Sequence, residues 1–318
     1  MRHPLLISLA AGIVAFAAAN SAESALIAAR GGNPWLAEWT SELVLSCSLV
    51  TVTYLWLHVR SLRGTLSGFE RARIELEKEL RLAAAIQRHL LKSPGALPSS
   101  LSWHALLEPA RRVGGDFYDV LTLSDGSVLI LTADISGKGI PAAIALASAL
   151  AAFRQIARRR PPELSALAGA LSDAIHHDNG GAPYMTAILC RVDPAKGELQ
   201  YVNAGHPAGR LAGPSGLVRL ESTGPPLGLL PDGHWEAPSL DARAFTLGLL
   251  VTDGVVEALE GEGDPQVILD DLARQLAAGT PEAACTAVME QARRAGPSPL
   301  APPDDRTVLA FGPGGRRV

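Results

Sequence analysis

The sequence predicts an α+β domain behind an apolar N-terminal region, and three observations carry that expectation. Apolar runs pair across turn signals as antiparallel hairpins, while helical stretches fall in separate blocks, which argues against a doubly wound βαβ sheet. Acidic residues recur at strand ends: Asp116 in Val-Gly-Gly-Asp-Phe-Tyr-Asp, Asp134 after Val128–Ala133, Asp253 after Leu247–Thr252, and Asp304-Asp305 before Arg306–Phe311. Upstream, two long apolar runs precede Arg60.

The first run, Leu5–Ala19, continues with helix-compatible residues to Ala29, interrupted by Asn20 and Glu23. The second, Leu43–Val59, has no formal charge. A helix needs roughly 20 apolar residues to span a bilayer, so the first run qualifies only if its helix passes Glu23. Trp35 and Trp39 on one side and Tyr54 and Trp56 on the other resemble an interfacial aromatic belt. Arg2 precedes the first run, and Arg60 and Arg63 follow the second. Both ends are then expected on the cytoplasmic side of the inner membrane, with a short outside loop around Gly31–Ser41. Two alternatives stand: a cleaved signal peptide ending at Ala17-Ala18-Ala19, and a pair of buried core helices.

From Leu62 the apolar period becomes that of a coiled coil. Leu62, Leu66, Phe69, Leu76, Leu80, Ala83 and Leu90 follow steps of four and three, with Arg73 and Gln87 in the polar gaps of the seam. This predicts a helical linker that pairs two chains; the alternative is a single amphipathic helix on the surface of the next domain. Pro94, Gly95 and Pro98 end it. The expected organisation is a membrane region over 1–60, a linker over 61–97 and a catalytic domain over 98–318.

Within that domain, Phe117–Leu123, the turn 124–126 and Ser127–Ala133 read as a hairpin. Pro141 opens an Ala-rich helix through about Ile156, and Ser165–His177 reads as another. Tyr184–Val192 and Glu198–Asn203 form a second hairpin, Thr246–Thr252 a strand, and Pro265–Ala278 and Pro281–Arg294 two helices.

Composition narrows the function. The chain has 318 residues, 47% of them apolar, and a net charge of −4, which leaves no basic stripe for nucleic acid. Cys47, Cys190 and Cys285 are scattered without metal-ligand spacing and read as reduced thiols. Carboxylates from separated strand ends suit a hard divalent cation. Ser136-Gly137-Lys138-Gly139 fails as a phosphate-binding P-loop, because Thr132 and Gly139 stand where that motif needs Gly and Ser or Thr. Lys138 reads as an exposed loop residue or a point contact to phosphate. His206 in Gly-His-Pro reads as structural, or as an acid near the leaving group. His176-His177 read as an exposed helix end.

Five separated motifs then carry a resemblance: Val-Gly-Gly-Asp-Phe-Tyr-Asp at 113–119, Ala-Asp-Ile-Ser-Gly-Lys-Gly at 133–139, Tyr-Val-Asn-Ala-Gly-His-Pro at 201–207, Thr252-Asp253-Gly254, and Asp304-Asp305-Arg306-Thr307. In this order they resemble the bacterial PPM-type (PP2C-like) serine phosphatases of the SpoIIE/RsbU family, over about Ala83–Phe311. The resemblance implies an α/β/β/α sandwich with two Mn²⁺ or Mg²⁺ ions at one edge. It implies Asp134 bridging both ions with the Ile135 carbonyl on one, Asp253 and Asp304 on the other, and Asp116 on metal waters or a weaker ion. The resemblance implies that Asp134 and Asp253 are the catalytic carboxylates, through a metal-activated water. Asp305 is the alternative to Asp304. Arg306, where relatives carry an apolar residue, is expected at the rim of the site. Arg111 stands where eukaryotic relatives of the fold place a phosphate-binding arginine, and a solvated basic pair with Arg112 is the other reading.

The function expected is a membrane-anchored, metal-dependent phosphoserine/phosphothreonine phosphatase acting on an anti-sigma-factor antagonist or a similar partner-switching protein. The alternatives are a non-catalytic membrane scaffold with a phosphatase-like binding domain, and a phosphatase of small molecules.

Overall fold

The computed structural model describes residues 4–31, 34–91, 101–159, 163–179, 182–296 and 304–314. Arg2, Pro94, Gly95 and Pro98, used above for orientation and for the end of the linker, lie outside the described residues, as does the 97/98 boundary. The chain forms two compact units, Met1–Lys78 and Glu79–Val318.

The first unit holds α1 (Pro4–Ala29) and most of α2 (Pro34–Leu90). α1 passes through Asn20 and Glu23 without a break. Its 26 residues make a helix of about 39 Å at 1.5 Å per residue, against about 30 Å of bilayer hydrocarbon. α2 is one helix of 57 residues, with no interruption at Arg60. A stretch of it is long and apolar enough to cross a membrane. Leu45, Leu49, Val50, Tyr54, Trp56 and Leu57 are all exposed along it, as are the heptad residues Leu62, Leu66, Phe69 and Leu76.

The second unit is a sandwich of two five-stranded antiparallel sheets. One contains β1 (Leu101–Glu108), β10 (Arg306–Pro313), β9 (Leu247–Val251), β6 (Gly209–Gly213) and β7 (Gly216–Leu220), in that spatial order. The other contains β2 (Asp116–Thr122), β3 (Val128–Ile135), β4 (Met185–Asp193), β5 (Glu198–Ala204) and β8 (Ser239–Asp241). α3 (Ile140–Arg159) and α4 (Leu164–Asn179) cover the β2–β3–β4 face through Phe117, Leu129, Leu131, Phe153 and Leu167. α5 (Asp253–Leu259), α6 (Pro265–Leu276) and α7 (Pro281–Ala295) cover the other sheet through Leu249, Val251, Met289, Val308 and Ala310. Between the sheets lie Val120, Ile130, Ile188, Leu211, Leu250 and Leu309. The layer order is therefore α/β/β/α. α3 is also apolar enough to span a membrane by composition, but it packs into this core.

Local chemistry explains the elements. The β2–β3 turn is closed by Asp125, whose Oδ1 accepts from the Ser127 N–H at 3.0 Å and its hydroxyl at 2.6 Å. α6 and α7 each start with proline behind a side-chain cap: Asp264 accepts from the Gln266 N–H, and Thr280 from the Ala283 N–H. Five elements went unread in the sequence: β1, the β6–β7 hairpin, β8 and the short α5. Buried Arg210 ties β6 to α6 through Asp270 (3.2 Å) and Gln266 (2.6 Å). Burial would otherwise penalise that charge heavily.

Candidate functional site

Strand alternation sorts the residues of each motif between faces. On β2, Phe117 and Asp119 point toward the helices. Asp119 is fully buried there and accepts from Arg154 of α3 at 2.6 Å. Asp116 points between the sheets, and the register sets it opposite Asp134 of β3. Asp253 arrives from the other sheet, as the first residue of α5 after β9. Ligand oxygens of Asp116, Asp134 and Asp253 all lie within 4.8 Å of one another. Three of the aspartates expected from sequence are thus brought to one edge of the sandwich.

Asp304 stands close enough for its charge to raise the carboxyls of Asp134 and Asp253, and it is ion-paired with Lys138, Nζ to Oδ2 2.6 Å. Lys138 is exposed on its loop, as the sequence reading has it, and the ion pair holds its pKa above the ordinary lysine value. Asp305 has a different task. Its Oδ1 accepts from the Ala110 N–H and its Oδ2 from the Gly115 N–H, each at 2.8 Å, which pins the loop that delivers Asp116. The two carboxylates of the pair therefore separate into one at the acidic edge and one holding the loop.

The glycines of these motifs make room. A side chain at Gly114 would overlap the Asp305 carboxylate, and one at Gly254 the Asp305 carbonyl. A Cβ at Gly115 would lie 2.7 Å from both Asp134 Oδ1 and the Ile135 carbonyl oxygen. Those two oxygens thus share one space beside Gly115, as a site using both would require. Close approach is the reason for these glycines.

Several contributors went unrecognised in the sequence. The hydroxyls of Thr252 and Thr307 each donate to Asp116 Oδ2 at 2.6 Å, joining the two sheets at the site. Gln87, read as a seam residue of the linker, instead clasps the Gly114 peptide. Its Nε2 donates to the Gly114 carbonyl at 2.8 Å, and its Oε1 accepts from the Gly114 N–H at 3.3 Å. Thr307 lies on β10 two residues after Asp305, which directly precedes the strand, and strand alternation from that point is the signal that could have placed it.

Other expectations shift. Arg306 is drawn away from the acidic edge, donating to the Gly296 carbonyl at the end of α7 (2.9 Å). His206 is buried, takes the Asn203 side chain on its backbone N–H (2.8 Å) and meets the Thr186 hydroxyl at Nδ1 (3.0 Å). Burial pushes its pKa down to about 3, so it carries no imidazolium proton for a leaving group at neutral pH. His176 is not free at a helix end, since its Nδ1 lies 3.0 Å from the Gly228 carbonyl. Arg111 and Arg112 are both exposed.

The electrostatics are those of a cation site. Burial, then the charge of Asp134, holds the Asp116 carboxyl well above the usual carboxylate range, against the two threonine hydroxyls that favour its charged form. Burial, then Asp253 and Asp304, raises Asp134 to about 8. Burial and Asp304 raise Asp253. Oxygen donors only, from four strand ends, Asp116 buried and the others half-buried, all mutually repelling, fit a hard divalent ion.

Known proteins agree with this architecture. The sequence model of the family Stage II sporulation protein E (SpoIIE) matches residues 124–312, more than half of the chain, including Asp134, Asp253 and Asp304. Protein IcfG of Synechocystis sp. is 30% identical over 215 residues, covering 58% of this chain and 33% of that protein. Phosphoserine phosphatase RsbP of Bacillus subtilis is 29% identical over 192 residues, covering 59% of this chain and 47% of RsbP. The chain thus spans less than half the length of either relative. In structure, the SiaA-PP2C domain of Pseudomonas aeruginosa superposes with a TM-score of 0.64 at 23% identity, over 76% of this chain and 98% of that domain. With a family match over most of its second unit and a PP2C-like sandwich that presents the acidic motifs at one edge, the chain belongs to the SpoIIE family.

Proposed function

We propose that this chain is a membrane-anchored, metal-dependent protein phosphatase that hydrolyses phosphoserine or phosphothreonine on a partner-switching signalling protein, such as a phosphorylated anti-sigma-factor antagonist. The observation that carries the reading is the convergence of Asp116, Asp134 and Asp253 within 4.8 Å, with Asp304 beside them. The name of RsbP, a phosphoserine phosphatase, supports the substrate class.

Asp134, Asp253, Asp304, the Ile135 carbonyl and, more weakly, Asp116 would hold two Mn²⁺ or Mg²⁺ ions. Bound there, such ions supply an activated water and positive charge for the phosphoryl oxygens. The chain's own residues do the rest. Thr252 and Thr307 keep Asp116 oriented, Asp305 and Gln87 hold the Gly114-Gly115 loop, and Lys138 stands beside Asp304 where a phosphate oxygen would approach. Buried Cys190 and Cys285, whose thiols burial pushes up to about 12, offer no thiolate nucleophile.

α1 and the apolar part of α2 would anchor the chain in the inner membrane, and the exposed heptad residues of α2 would pair two copies. Because α2 ends in the Gln87 clasp, pairing would bear on metal occupancy at the loop.

The test is hydrolysis of p-nitrophenyl phosphate by the purified 318-residue chain with Mn²⁺ or EDTA, beside Asp134→Asn. Manganese-dependent turnover that falls by about 10³-fold or more in the variant is expected. Equal turnover in EDTA, or an unaffected variant, overturns the reading.

A further inference from the structure

A cleft of about 670 Å³ opens beside Asp116, between the last turns of α2 and the segment entering β2. Its volume is in the range of about 300–1,000 Å³ typical of ligand-binding clefts. Arg81, Arg111 and Arg112 line it, while Leu107 and Tyr118 add an apolar wall. Among the described residues of that lining, Asp116 is the one acidic residue. Arg111 lies at a junction, because it also lines the small crevice that contains Lys138 and Asp304. Cationic side chains therefore run from the cleft to the acidic edge, and none of the three arginines is buried.

A phosphoserine presented at the acidic edge must carry chain to either side, and this cleft lies on one side. A chain segment there would meet guanidinium groups, which bind carboxylates in a planar, two-pronged geometry that neutral residues cannot match. We propose that the cleft seats the residues flanking the phosphoserine and selects acidic ones, so that the protein substrate presents its phosphoserine within an Asp/Glu-containing segment. This rests on the phosphoprotein reading above and names the substrate class of the same site.

The test uses the 318-residue chain and two dye-labelled phosphoserine peptides that differ only in Asp/Glu against Asn/Gln flanks. Binding is read by fluorescence anisotropy in EDTA, and kcat/KM with Mn²⁺. Summed over three arginines, a preference of about tenfold for the acidic peptide is expected in both readings at low salt, shrinking as salt is raised. The ratio should drop to about twofold in the Arg111→Gln/Arg112→Gln double variant and fall less in Arg112→Lys, which keeps the charge and loses the two-pronged geometry. Equal binding of both peptides, or a preference that survives the double substitution, overturns the inference. Acid preference in binding without manganese-dependent turnover would leave the cleft assignment standing and remove the phosphatase reading.

Discussion

At the scale of single residues, the site is a concentration of like charge that the fold tolerates by holding protons. Asp134, raised to about 8, keeps a proton in the folded chain that the unfolded chain releases near 4. Between those values the unfolded state binds fewer protons, so this group makes the metal-free protein less stable as pH rises. Asp134→Asn has no such proton. Its stability advantage over the parent in EDTA should widen from pH 5 to pH 8, by at most about 1.4 kcal/mol per pH unit. Urea unfolding at a series of pH values measures it, and a gap that stays flat would refute the assignment. The motif aspartates were legible in the sequence because each sits beside a strand and a glycine. The division of labour in the Asp304-Asp305 pair was not, since it depends on what stands opposite each side chain: Lys138 for one, the Ala110 and Gly115 amides for the other.

At the scale of elements, the strongest departure from the sequence reading is the end of α2. A glutamine in a heptad gap suggests a seam position, yet Gln87 closes two hydrogen bonds on the loop that carries Asp116. Gln87→Ala should leave the sandwich folded and weaken Mn²⁺ binding roughly three- to tenfold, given about 1 kcal/mol per lost hydrogen bond. Titration calorimetry reads the affinity directly; unchanged affinity would confine Gln87 to packing. The β2–β3 and β4–β5 hairpins and helices α3, α4, α6 and α7 were readable from alternation, turn residues and capping prolines. The β6–β7 hairpin, Gly209–Gly213 with Gly216–Leu220, escaped because each strand opens on a glycine and is only five residues long. α5 escaped because its seven residues open on an Asp-Gly step that looks like a turn.

At the scale of the whole molecule, two apolar helical stretches precede an acidic-edged sandwich. If α1 and α2 anchor the chain, it should sediment with membranes after a carbonate wash and be released by detergent, whereas a chain lacking residues 1–60 should stay in the supernatant. Fractionation and immunoblotting decide this, and release of the full chain by carbonate alone would count against anchoring. The sequence by itself determined the class of fold, the two apolar runs and the identity of the acidic motifs, because periodicity, turn chemistry and spacing are local properties of a chain. Only the tertiary structure decided that Asp116, Asp134 and Asp253 share one edge, that Thr252 and Thr307 bridge the sheets to Asp116, and that Gln87 reaches Gly114. The hydrogen bonds among them join residues from 27 to 191 positions apart, and only tertiary packing, of sheet on sheet or of helix on loop, brings such partners within reach.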